Sequence, residues 1–207
     1  MVQRPPARDR LLTAARELFY AEGYHVSIDA VTQRANVAKP TVYAHFKSKD
    51  ALIDAVLTTA SDEWFIELDA ELERRNGDPL RRLLAPFDLL VAELPDPAYH
   101  GCILINSAAS FLSADHPAHQ ALTAHDNRML EAFEKLAAEA GAIRPPDLAR
   151  QLLLLYTGVK TRGLVDYTGA AAHDACTAAT ILITAAQEPG SPHRQPAANG
   201  RRAKHTQ

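Results

Sequence analysis

Apolar residues recur along this chain at intervals of three and four, the spacing that puts them on one face of a helix. Leu11, Leu12, Ala15, Leu18 and Phe19 form a first such stripe, predicting a helix over residues 8–22 that stops at Gly23. Ile28, Val31 and Ala35 predict a second, with Ser27 as its N-cap and Asn36 as a left-handed stop. Val42 and Phe46 predict a short third helix from about Lys39, with Pro40 in its first turn, where the missing amide is harmless. Ser48 and Asp50 then open a long helix toward Arg75, with Leu52, Ile53, Val56, Leu57, Phe65, Leu68 and Leu72 inward. Further helices are expected over 79–94, 101–113, 118–140, 146–167 and 170–187, punctuated by Pro-, Gly- and Asp-rich turns. No alternating strand pattern or internal repeat appears, so the fold class is all-α.

The first three helices make a tight unit. The outer face of the third presents Lys39, Thr41, Tyr43, His45 and Lys47, basic, hydroxyl and aromatic groups without a carboxylate. Such a face suits phosphates and base edges, and two short helices around a tight turn form the helix-turn-helix pattern. Residues 8–65 resemble the DNA-binding domain of the TetR family of bacterial transcriptional regulators. The resemblance is carried by Ala14–Ala15–x–x–Leu18–Phe19, Gly23–Tyr24, Ser27, Ala35–Asn36–Val37, Pro40–Thr41–Val42–Tyr43–Ala44–His45–Phe46 and Ser48–Lys49–Asp50–x–Leu52. Asn36 stands where the family usually has Gly, and Ala38 where it often has Ser, which removes an N-cap hydroxyl.

The resemblance implies an N-terminal helix-turn-helix domain joined by the long helix to a helical body that binds a ligand and dimerises. The expected division is an arm at 1–7, a DNA-binding domain at 8–50 continuing into the linking helix, a body at 51–187 and a disordered tail at 188–207. Lys39, Thr41 and Tyr43 are expected at base edges and phosphates, behind Pro40. Ser27, His45, Lys47 and Lys49 are expected at backbone phosphates. The partner is double-stranded DNA with a roughly palindromic operator, its half-sites one or more turns of about 34–36 Å apart.

Charge supports a molecule that meets DNA with one end. Residues 1–50 carry 8 Lys and Arg against 5 Asp and Glu, residues 51–187 carry 10 against 19, and residues 188–207 carry 4 against 1. The arm and the tail residues Arg201, Arg202 and Lys204 either touch DNA or are simply solvated. No run approaches the roughly 18 apolar residues of a membrane span, and the N-terminus has no apolar signal core, so a cytoplasmic protein is expected.

Within the body, residues 101–113 are apolar nearly all round and should be buried. The resemblance places them at the floor of an effector pocket reached also by Trp64 and Phe65. Phe87, Leu104, Phe111 and Tyr156 are wall candidates, or plain core. Asn106 and Ser107 would there bond either a ligand or a neighbouring helix. Such a pocket suits a small apolar effector, whose binding would release a repressor from its operator. Cys102, at a helix start, is either a small buried hydrophobe or a reactive thiol that makes the chain a redox or electrophile sensor. His116, His119 and His125 cluster without a convincing ligand set and read as surface histidines. No cofactor is expected, and no nucleophile–base pair or phosphate loop suggests an enzyme. The apolar excess at Leu152–Leu155, Val159, Leu164, Val165 and Ile181–Ile183 suggests either a four-helix interface between two copies or a last helix buried within one subunit, and the resemblance implies the former, a homodimer through residues 146–187.

Overall fold

The computed structural model describes residues 5–96, 99–165 and 168–187. The first four residues of the expected arm, the tail and the last two residues of the expected 146–167 helix lie outside the described residues. Among those described, nine helices follow one another without a strand: α1 (Ala7–Glu22), α2 (Ile28–Ala35), α3 (Lys39–His45), α4 (Lys49–Arg74), α5 (Pro79–Glu93), α6 (Ile103–Ser110), α7 (Pro117–Glu139), α8 (Pro145–Arg162) and α9 (Ala170–Gln187).

Local chemistry sets most of the helix ends. Ser27, Ser48 and Asp78 each accept a hydrogen bond from the backbone amide three residues on, at 3.1, 3.0 and 3.0 Å. Each satisfies one of the amides a helix start leaves orphaned. Asn36 ends α2 with φ at +51°. Its carbonyl and that of Ala35 accept Arg10 Nη1 at 2.9 and 2.8 Å, so a guanidinium from α1 caps the turn. Ala38 has no side-chain bond to offer α3, as its side chain requires.

Two helices end earlier than their patterns predict. The expected 101–113 helix is only Ile103–Ser110, because Phe111 turns extended and stacks on His116 with ring centroids 3.6 Å apart. It is also less enclosed than expected: Leu104, Ser107 and Ala108 are buried, while Ile103 and Ile105 are half-buried. The expected 146–167 helix stops at Arg162, where Gly163 packs so closely that a Cβ would lie 2.9 Å from the Tyr99 ring.

The buried side chains form two clusters. One joins α1, α2 and α3 to the first turns of α4 through Leu11, Phe19, Val31, Val42 and Leu52 to Leu57, and reaches Cys102 and Leu104. The other joins α5, α7, α8 and α9 around Phe87, Phe133, Leu152 and Tyr156, with Trp64 and Phe65 packed against it. α4, 26 residues and about 39 Å long, is built into both. Two tyrosines of the head seat it on the α5–α6 junction: Tyr20 Oη donates to Gly101 O at 2.9 Å and accepts from His100 N at 2.8 Å. Tyr24 Oη donates to Ile103 O at 3.2 Å. Gly101 has φ at +92°, and a Cβ there would lie 2.1 Å from Leu164 Cδ2, so only glycine fits this joint.

Leu57→Ala, at a fully buried site in the head cluster, should lower unfolding free energy by about 2–5 kcal/mol. Ile66→Ala, on the exposed side of the same helix, should change it by less than about 0.5 kcal/mol. Urea denaturation followed by circular dichroism measures both.

Candidate nucleic-acid interface and ligand cavity

At the reader end, Val42 and Phe46 are buried and α3 packs on α1 and α2, so the opposite face of α3 looks outward. Tyr43 is 52% exposed. Pro40, His45 and Lys47 are exposed as well, and Thr41 is half-buried. These five and Lys39 share one accessible surface, with Ser27 exposed nearby at the start of α2. Two expected phosphate ligands have other partners. Lys49 donates to Tyr24 O at 2.6 Å, which ties it to the loop between α1 and α2 and takes it out of the free basic set. Lys39 pairs with Asp29 Oδ1 at 2.8 Å. The reader face is therefore not carboxylate-free: the packing of α2 on α3 brings Asp29 to it from outside the helix. Ser27 spends its acceptor on Ala30 N and keeps its hydroxyl proton.

Between head and body lies a cavity of about 690 Å³. Thr13, Arg16, Glu17 and Tyr20 of α1 form one side, and Ala60, Glu63, Trp64 and Glu67 of α4 form another. Leu89 and Glu93 of α5, Cys102 to Leu104 at the start of α6, His125 of α7 and Lys160 of α8 complete it. The wall thus includes the first helix of the reader domain.

Of the residues expected at an effector pocket, Trp64 and Cys102 line this cavity, as does Leu104. The other six do not. Phe87 is fully buried among Phe133 and Tyr156. Tyr156 stands behind Trp64, at 5.7 Å between centroids. Phe65 is half-buried against the body, its ring 5.0 Å from Trp64 and 5.3 Å from His125, with the Arg128 guanidinium 4.0 Å from its centroid. Phe111 packs on Tyr24 and His116. Asn106 Nδ2 donates to His100 O at 2.9 Å, a bond to the preceding loop and not to a neighbouring helix, and Ser107 is buried beside the Tyr24 hydroxyl.

The histidines are not a surface set. His116 caps α7 by accepting from Ala118 N at 3.1 Å, and His119 Nε2 lies 2.8 Å from Phe111 O. His125 is only 3% exposed; its Nδ1 lies 2.9 Å from Ser61 Oγ, and its Nε2 has no hydrogen-bond partner.

The cavity is charged where the sequence suggested an apolar one. Arg16 pairs with Glu63, joining α1 to α4, and Glu17 pairs with Arg34 at 2.6 Å. Glu67 and Glu93 have no ion pair among the described residues. Burial raises the Glu93 pKa above the ordinary carboxylate range, with Lys160 pulling the other way. Lys160 is 6% exposed. Burial opposes its charge, while the Cys102, Tyr156 and Glu93 groups around it act the other way and raise its pKa.

Arg16, Tyr20, Glu93 and Lys160 were not singled out by the sequence, and His125 was read as a surface histidine. Two had a readable signal. Lys160 follows Leu152 and Tyr156 at steps of four, and His125 precedes Met129 and Phe133 at steps of four, so both sit on buried stripes.

The comparisons agree with this architecture. Residues 11–56 match the model of bacterial regulatory proteins of the tetR family. The crystal structure of a TetR-family transcriptional regulator from Streptomyces coelicolor superposes with a TM-score of 0.81 at 29% identity, covering 88% of this chain and 96% of that one. The likeness to TetR-family regulators thus covers the N-terminal domain in sequence and most of the chain in fold. Among its relatives, the HTH-type transcriptional repressor DhaR of Mycobacterium sp. (strain GP1) is 28% identical over 154 residues, 72% of this chain and 76% of DhaR. The HTH-type transcriptional regulator UidR of Escherichia coli (strain K12) is 43% identical over 53 residues, 25% of this chain. That match spans about a quarter of UidR, 27% of its length. The TetR architecture, an N-terminal helix-turn-helix domain followed by a helical C-terminal domain, accounts for all nine described helices.

Burial, with Lys160 and Arg128 nearby, lowers the His125 pKa from 6.5 to about 3. The unfolded chain takes up this proton near pH 6.5 and the folded chain does not, so the contribution of neutral His125 is complete above that pH. It is lost as pH falls toward 3, with a slope of up to about 1.4 kcal/mol per pH unit. Urea unfolding between about pH 7.5 and 5 should show this dependence, and His125→Gln should flatten it.

Proposed function

We propose that this TetR-family chain is a homodimeric, ligand-responsive transcriptional regulator that binds a palindromic operator and represses from it. The observation that carries the reading is the outward face of α3. Its inner residues Val42 and Phe46 are buried, which fixes the helix, and Tyr43, Thr41, His45 and Lys47 are left at the open edge of a helix-turn-helix. Tyr43 and Thr41 are assigned to base edges, and Lys47, His45 and the Ser27 hydroxyl to phosphates. Lys39 joins them once a phosphate replaces Asp29, an exchange that a solvent-exposed ion pair permits readily. Repression is supported by the printed name of DhaR, the relative matched over most of both chains.

The dimer is assigned to α8 and α9. Leu152, Val159, Ala175, Ala179 and Ile183 face the core of their own subunit, yet Leu154 and Ile181 are 75% and 64% exposed. Two copies of the pair would bury these residues in a four-helix interface.

A ligand in the cavity touches head and body together, because α1 and α4 supply two of its sides. Any ligand that binds one head orientation better than another shifts the spacing of the two reader helices, by as much as its affinities differ. The mixed polarity of the wall favours a ligand carrying polar groups over a purely apolar one. Covalent sensing through Cys102 is the weaker reading: the thiol is buried at the start of α6. Cys176, the other cysteine, contacts Asp88 on the opposite side of the body, where burial and that carboxylate push its pKa up to about 11.

Selection from random duplexes should return a palindrome whose half-site spacing reports the dimer; recovery of unselected sequence would contradict the reading. On the selected site, Tyr43→Ala should weaken binding by about 1–3 kcal/mol, and Lys47→Ala should reduce the salt slope by about one. Leu154→Glu combined with Ile181→Glu should sediment as a monomer and lose the operator.

A further inference from the structure

The cavity contains a buried lysine amine with no ion pair among the described residues. Lys160 Nζ has three donors and makes one hydrogen bond, to Tyr156 Oη at 3.3 Å. The rings of Tyr156 and Trp64 lie 5.2 and 5.7 Å from it. No carboxylate among the described residues lies within 4.0 Å. Glu93 acts on Lys160 only from a distance. A buried charge without a partner in contact is expensive, and it marks where an opposite charge is received.

A second polar group waits on the same wall. His125 is buried and stays neutral, and its Nε2 has no partner. When the Ser61 hydroxyl donates to Nδ1, Nε2 carries the proton and is a donor facing no acceptor.

We infer that the cavity receives a small amphipathic carboxylate, its anionic head on Lys160 and His125 and its apolar body against Leu12, Val56, Leu89 and Leu104. The inference rests on the regulator reading for its biological sense, but not for its chemistry. Two of the four wall carboxylates, Glu17 and Glu63, are already paired with arginines and do not repel such a head. Glu67 and Glu93 remain to reject a second negative charge on the ligand. An organic cation fits less well. Lys160 already lies against Trp64, the aromatic residue a cation would use, and the Tyr20 hydroxyl is engaged by His100 and Gly101.

Trp64 is the only tryptophan of the chain, so its fluorescence reports on this wall alone. The test titrates the full chain, without DNA, with 4-phenylbutyrate, 4-phenylbutylamine and 4-phenylbutanol, and repeats the carboxylate arm with octanoate and 2-naphthoate. A saturable change with at least one carboxylate, and binding of 4-phenylbutyrate at least tenfold tighter than of its amine and alcohol partners, is expected if that is the carboxylate that binds. Lys160→Met should weaken the carboxylate at least tenfold, and Lys160→Arg should retain most of the affinity. If Lys160→Met does not fold, the charge selectivity of the unaltered chain decides. An amine that binds as tightly as its carboxylate, silence from all three carboxylates, or unchanged affinity in folded Lys160→Met overturns the assignment. None of these results alters operator selection, so this inference and the regulator reading fail separately.

Discussion

One helix belongs to two cores. The first turns of α4 are locked into the head by Leu52, Ile53, Val56 and Leu57, and its later turns carry Trp64, Phe65 and Leu72 into the body. A continuous helix does not fold in half without losing backbone hydrogen bonds, so displacement of one end is felt at the other. The middle turns, Ala60 to Glu67, face neither core fully, and the cavity opens where the two clusters part. The position of the cavity is a consequence of how α4 is shared.

The head is held on the body by few and specific contacts. The hydroxyls of Tyr20 and Tyr24 bond main-chain atoms at the start of α6, and Arg16 pairs with Glu63 over the cavity. Main-chain partners define a position more sharply than flexible side chains do, whereas the surface pair adds little rigidity. The joint is therefore well defined at rest, and two of its links, the Tyr20–Gly101 bond and the Arg16–Glu63 pair, lie on the cavity wall itself.

Helix ends set by neighbouring residues were legible. Ser27, Ser48 and Asn36 act through backbone groups within a few residues, so their roles follow from local sequence. Ends set by distant contacts were not. Phe111 leaves α6 to stack on His116, a partner that spacing alone does not identify. The reader face followed from period, because Val42 and Phe46 leave only one side of α3 free. The partners of Lys39 and Lys49 did not, since Asp29 and the Tyr24 carbonyl arrive from other elements. The cavity was half visible: Trp64 and Cys102 were found, but Lys160 and His125 were passed over because charge and imidazole read as surface. Their registers with Tyr156 and Met129 place both on apolar stripes, and a polar residue on such a stripe is the signal to weigh.

Asp29 has a consequence for the search along a genome. With its leading cation shielded by an acid of the preceding helix, the free reader offers a weaker electrostatic grip to any passing duplex. Random sequence then detains the protein only briefly. On the proposed assignment of Lys39 to a phosphate, a site whose backbone geometry draws it away from Asp29 would gain a contact that other sites lack, and the built-in competitor would sharpen discrimination without touching a base.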